Sequence, residues 1–175
     1  MALRSGIYIV PTNHWYIERT VWLIAGLVLV ASTTLAALVD PRFVLVVAAT
    51  GITSVGVALT GFCPVGNILY RFGFRGQLAD PARPGLYMMQ TDRWYLERRI
   101  YVTVGVNITL GSVLSLVHSP WWLGFTAFVG VAMIWFAATG FCILANALYW
   151  IGAEPRLAPR GVTSQALRPA PPPTR

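Results

Sequence analysis

Long uncharged apolar runs alternate with short polar connections along this chain. Val21 to Val39 is unbroken by any charge, and as a helix rising 1.5 Å per residue it is long enough for the roughly 30 Å hydrocarbon core of a bilayer. Asp40-Pro41-Arg42 predicts a compact turn, since Pro cannot continue a helix and Asp favours local turn bonding. A second run, Phe43 to Tyr70, would make about 42 Å of helix, more than one crossing needs. A break is therefore expected at Gly61 and Pro64, because Pro64 has no N–H for the Thr60 carbonyl. Phe43 to Thr60 alone gives about 27 Å, which puts Cys63 near an interface. After the polar connection Arg71 to Arg83, Tyr101 to Val117 is a third span and Trp121 to Trp150 a fourth, joined at His118-Ser119-Pro120.

The segment ahead of the first span is too polar for a secretory signal: Arg4 is followed by Pro11, His14, Glu18 and Arg19 rather than by an apolar stretch. A helix start is expected near Thr12 or Asn13, both good N-caps. Trp15 and Tyr16 then fall where a membrane interface favours amphipathic aromatics.

The pattern is written twice. Thr60-Gly61-Phe62-Cys63 returns as Thr139-Gly140-Phe141-Cys142, and Trp15-Tyr16-Ile17-Glu18-Arg19 returns as Trp94-Tyr95-Leu96-Glu97-Arg98, always 79 residues later. Gly6-Ile7-Tyr8 is answered by Gly85-Leu86-Tyr87, and Gly26, Pro41 and Gly51 by Gly105, Pro120 and Gly130. The expected fold is an all-α membrane protein with four transmembrane helices as two parallel-oriented two-helix repeats. Residues 1–20 form a lead, 21–70 the first pair of helices, 71–99 a loop and interfacial helix start, 100–151 the second pair, and 152–175 a Pro- and Arg-rich tail that reads as extended and solvated. An even number of spans per copy gives both copies one orientation, about an axis along the membrane normal.

Composition agrees. Charged residues make up 11% of the chain and the mean hydropathy is +0.63, against roughly 25% charged residues in soluble domains. The formal net charge is +7 and all 13 basic residues are Arg. Only Arg42 falls on the turn side of the bundle; the other Arg residues fall on the opposite side, which by the positive-inside rule makes both termini and the central loop cytoplasmic, in a bacterial inner membrane. No basic stripe with interleaved aromatics is left over for nucleic acid.

Each half resembles the YgaP-like transmembrane domain, a two-helix inner-membrane module with a Thr-Gly-x-Cys-Pro signature near the end of its second helix, found alone or fused to rhodanese. Thr60-Gly61-Phe62-Cys63-Pro64, followed by Asn67 and Leu69-Tyr70, carries the whole signature; the second copy has Ile143 in place of Pro. The resemblance implies a membrane module associated with sulfur metabolism. It does not imply sulfurtransferase activity, since no rhodanese domain is present.

Candidate chemistry lies in the duplicated polar residues. Thr60, Cys63 and Asn67, and likewise Thr139, Cys142 and Asn146, are spaced three and four apart and share a face if the helix continues. Small and hydroxyl residues with a small apolar thiol are what close helix packing uses. A thiol that handles a sulfur species is the sharper reading, with Cys63 the more reactive because Pro64 admits water and Arg71 favours the thiolate. Glu18 is expected to pair with Arg98 and Glu97 with Arg19 across the two copies. His14 and His118 are not duplicated, and no cysteine–histidine cluster has metal spacing, so neither cofactor nor metal is expected. Three functions fit: a non-enzymatic accessory or assembly protein, a membrane thiol protein, or a cofactor-bearing subunit. The expected partners are the lipid bilayer and other membrane proteins or a second copy.

Overall fold

The computed structural model describes residues 6–157; Arg4 and the Pro-rich end of the tail with Arg160, Arg168 and Arg175 lie outside the described residues. The elements are α1 (Ile17–Leu38), a 3-10 turn (Pro41–Phe43), α2 (Val44–Thr60), α3 (Pro64–Arg71), α4 (Leu96–Val117), α5 (Trp122–Thr139) and α6 (Ile143–Trp150). α1, α2 with its preceding turn, α4 and α5 are each long and apolar enough to cross a membrane. The chain is an all-helical, multi-pass membrane protein.

Helices adjacent in sequence are not the closest neighbours. α1 packs chiefly along α5 and α2 along α4, with lighter contacts of α1 on α2 and α4 on α5. Glycine makes these crossings close. A Cβ on Gly26 would lie 2.7 Å from the Gly130 carbonyl oxygen, and one on Gly105 would lie 2.7 Å from that of Gly51, so each backbone rests on the other as small-residue membrane interfaces do. Leu29, Val47 and Ile108 fill the centre of the bundle, and Trp22 stacks on Phe136 with ring centroids 4.4 Å apart.

Both α1 and α4 begin four or five residues earlier than the uncharged runs. Glu18 and Arg19, and Glu97 and Arg98, lie inside the first turns and are buried. Neither Thr12 nor Asn13 caps α1. Its N-cap is Tyr16, whose side chain makes no capping bond, and the Ile17 N–H donates instead to the Arg75 carbonyl.

The break after the second span is set by glycine. Gly61 ends α2 at φ +79° and Gly140 ends α5 at φ +78°, a left-handed C-cap that a residue with a Cβ adopts only under strain. Pro64 then starts α3, where its missing N–H costs nothing. α6 starts at Ile143 without any proline, so the proline is not the cause of the break. Thr60, Cys63 and Asn67 consequently do not share one helical face. The tail is not solvated from its start: Ala153 and Leu157 are buried.

Gly26→Leu or Gly105→Leu should cost at least about 2 kcal/mol through overpacking against backbone. Gly56→Ala and Gly124→Ala, where an added Cβ meets nothing within 4 Å, should be neutral or slightly stabilising. Thermal aggregation followed by size-exclusion chromatography in mild detergent distinguishes the two sets.

Candidate functional site

The duplicated polar residues collect at one end of the bundle, where α1 and α4 begin and α2 and α5 end. Helix ends leave backbone groups without partners, and the chain satisfies them by exchange between its halves.

Arg19, at the start of α1, donates from Nε to the Ala137 carbonyl at 2.7 Å, in the last turn of α5. Arg98, at the start of α4, does the same to the Ala58 carbonyl of α2 at 2.6 Å. Each guanidinium lies 3.9 Å over a tryptophan ring, Trp15 and Trp94 respectively, and also donates to carbonyls in the segment ahead of its own helix. A cation at a helix C-terminus complements the dipole and the orphan carbonyls together.

Glu18 accepts from the Leu78 N–H at 2.6 Å, the Gln77 N–H at 3.1 Å and the Tyr87 hydroxyl at 3.0 Å. Glu97 accepts from the Leu157 N–H at 2.9 Å, the Arg156 N–H at 3.0 Å and the Tyr8 hydroxyl at 2.6 Å. The expected pairs Glu18–Arg98 and Glu97–Arg19 therefore do not form. The guanidiniums are drawn to helix-end carbonyls and the carboxylates to loop N–H groups, so every buried charge meets backbone dipoles rather than an opposite charge. Burial and the neighbouring carboxylate push the Tyr8 and Tyr87 phenols well above their ordinary value, which keeps both as hydroxyl donors.

Asn67 and Asn146 act as splints. Asn67 accepts from the Tyr87 N–H and donates to the Tyr87 carbonyl, at 2.9 and 2.8 Å; Asn146 makes the same pair with Tyr8, at 2.7 and 3.0 Å. Both also donate to the carbonyl of the preceding cysteine. The Met89 N–H to Gly61 carbonyl and Val10 N–H to Gly140 carbonyl bonds extend the same contact. Thus 87–89, ahead of α4, is held by the first copy, and 8–10, ahead of α1, by the second. The repeated Gly-x-Tyr ahead of each copy was the sequence signal for this, though nothing in spacing assigns the tyrosine to a carboxylate.

Thr60 and Thr139 hydroxyls turn back on their own helices, to the Gly56 and Trp135 carbonyls, and accept from Phe62 and Phe141 N–H. Cys63 and Cys142 are free thiols at the N-caps of α3 and α6. Cys63 is buried and its Sγ accepts from the Gly66 N–H at 3.2 Å; Cys142 is half-buried. The sequence expectation is reversed: burial pushes both thiols above their ordinary range, and Cys63 is the less accessible. Among the described residues, no group of three or more His, Cys, Asp or Glu could hold a metal ion. Comparison of the chain with protein-family models, curated proteins and solved structures finds no match.

Ending the chain after Gly152 removes the Arg156 and Leu157 N–H groups from buried Glu97 and should cost on the order of 3–5 kcal/mol. Ending it after Leu157 keeps both donors and should spare that loss. Arg156→Ala, which retains the backbone N–H and loses the exposed pair with Asp92 and a guanidinium 5.0 Å over the Tyr95 ring, should cost far less than ending the chain after Gly152.

In native membranes a permeant maleimide should modify Cys142 faster than Cys63, compared in Cys63→Ser and Cys142→Ser proteins. Because raised thiol values leave little thiolate at neutral pH, both rates should keep climbing above the ordinary thiol range.

Proposed function

We propose that the protein is a non-enzymatic accessory or assembly module of the bacterial inner membrane, a fused pseudo-dimer with both termini cytoplasmic. The observation that carries this reading is that the duplicated polar side chains are spent inside the fold: Glu18, Glu97, Arg19, Arg98, Asn67 and Asn146 all bond to backbone of the same chain. Such a clasp supports a rigid platform rather than a reacting centre. The resemblance to the YgaP-like module supports a two-copy membrane unit, and the concentration of Arg at the clasped end, against Arg42 alone at the turns, supports its cytoplasmic placement. Sulfur relay draws less support, since the buried Cys63 sulfur serves as a helix cap.

Affinity capture from native membranes in mild detergent tests the reading. Other membrane proteins should be retained in fixed stoichiometry; recovery of a single monodisperse chain would remove the assembly role. A reporter inserted at Gly76 should be active only as a cytoplasmic enzyme.

A further inference from the structure

A groove of about 680 Å³ opens on the second copy's side of the bundle, between α4, α5 and α6. Its volume is within the roughly 300–1,000 Å³ of small-molecule sites. The floor is aromatic and closed: Trp22, Tyr101 and Phe136 are buried there, while Phe128 and Trp135 stand exposed at its rim at 66% and 61%. Ser54 lines it with its hydroxyl already donated to the Tyr101 carbonyl; two further polar side chains, Thr103 and Asn107, lie one turn apart and midway along α4.

Both have bonding capacity to spare. Asn107 Nδ2 donates to the Thr103 carbonyl at 2.7 Å, which leaves one amide N–H and the amide oxygen without partners among the described residues. The Thr103 hydroxyl makes no bond there either, unlike Thr109 and Thr126, which donate back to their own helices. Polar capacity left open at the depth of a bilayer is costly. The first copy places Ile24 and Val28 at the equivalent positions, so the shared architecture does not require polar groups there.

We propose that this groove binds a flat, carbonyl-bearing, lipid-soluble molecule of the quinone class, its ring against the aromatic floor and its carbonyl receiving the Asn107 and Thr103 donors. A phospholipid fits poorly, because its polar head stays at the membrane surface while the open donors lie at mid-depth. Flat rings suit stacked or edge-on contact with aromatic side chains, and entry from the bilayer needs no polar channel. This site is independent of the assembly role.

The test uses the full chain in lipid nanodiscs, titrated with decyl-benzoquinone and read by tryptophan quenching and by shift in unfolding temperature. Wild-type protein should show a saturable component above simple partition into lipid. Asn107→Val and Thr103→Ile, which restore the first copy's residue types, should each weaken it about three- to tenfold, the effect of one lost hydrogen bond, and leave the ligand-free unfolding temperature intact. Ala132→Phe, which fills the groove from α5, should abolish it. Absence of a saturable component, or variants that titrate like wild type, would overturn the proposal. So would spontaneous cross-linking of Asn107→Cys between chains in native membranes, which would make the occupant a second copy.

Discussion

A helix that stops within or at the edge of a bilayer leaves carbonyls and N–H groups that cannot be left bare, and this protein stops α2 and α5 abruptly at glycines. The folded structure depends on how those ends are closed. The second copy's Arg98 closes the first copy's α2, and the first copy's Arg19 closes α5. The same reciprocity governs the extended segments: Tyr87 reaches Asn67 and Glu18, and Tyr8 reaches Asn146 and Glu97. Neither half completes its own end, so the polar groups join the halves at this end as the Gly26–Gly130 and Gly51–Gly105 crossings join them within the spans.

The same constraint explains where sequence reasoning succeeded and failed. The four spans were legible because their apolar length is dictated by the bilayer, and the ends of α2 and α4 fall where the apolar patterns and Gly61 put them; the fourth run, expected unbroken from Trp121 to Trp150, instead stops at Thr139 and resumes as α6, because Gly140 repeats the left-handed cap of Gly61. The starts of α1 and α4 were not. Charge normally marks where a membrane helix ends, yet Glu18 and Glu97 are drawn inside because loop N–H groups meet them there. Those donors belong to Gln77-Leu78 and Arg156-Leu157, where the copies share only leucine and where the acceptor recognises backbone. Backbone recognition leaves no trace in residue identity, which is why a tail rich in proline beyond Leu157 concealed a buried anchor.

The expected ion pairs failed for a related reason. Pairing Glu18 with Arg98 and Glu97 with Arg19 would neutralise four charges but leave the Ala58 and Ala137 carbonyls and the Leu78 and Leu157 N–H groups bare. Buried ion pairs recover their desolvation cost only with good geometry and further hydrogen bonds. Dividing the charges between helix-end carbonyls and loop N–H groups satisfies more backbone for the same burial.

The departures from the repeat then acquire meaning. Where both copies must do the same structural work, they hold the same residue: Glu18 and Glu97, Arg19 and Arg98, Asn67 and Asn146, Gly61 and Gly140. Pro64 could become Ile143 because the glycine already sets the break. Val28 becoming Asn107 and Ile24 becoming Thr103 is different in kind, since each exchange puts polar atoms into an apolar span with no bond in the clasp to satisfy. Packing alone would favour the aliphatic residues that the first copy keeps. The polar pair therefore belongs to whatever occupies the groove, and the second copy carries the binding surface while the clasp common to both copies carries the fold.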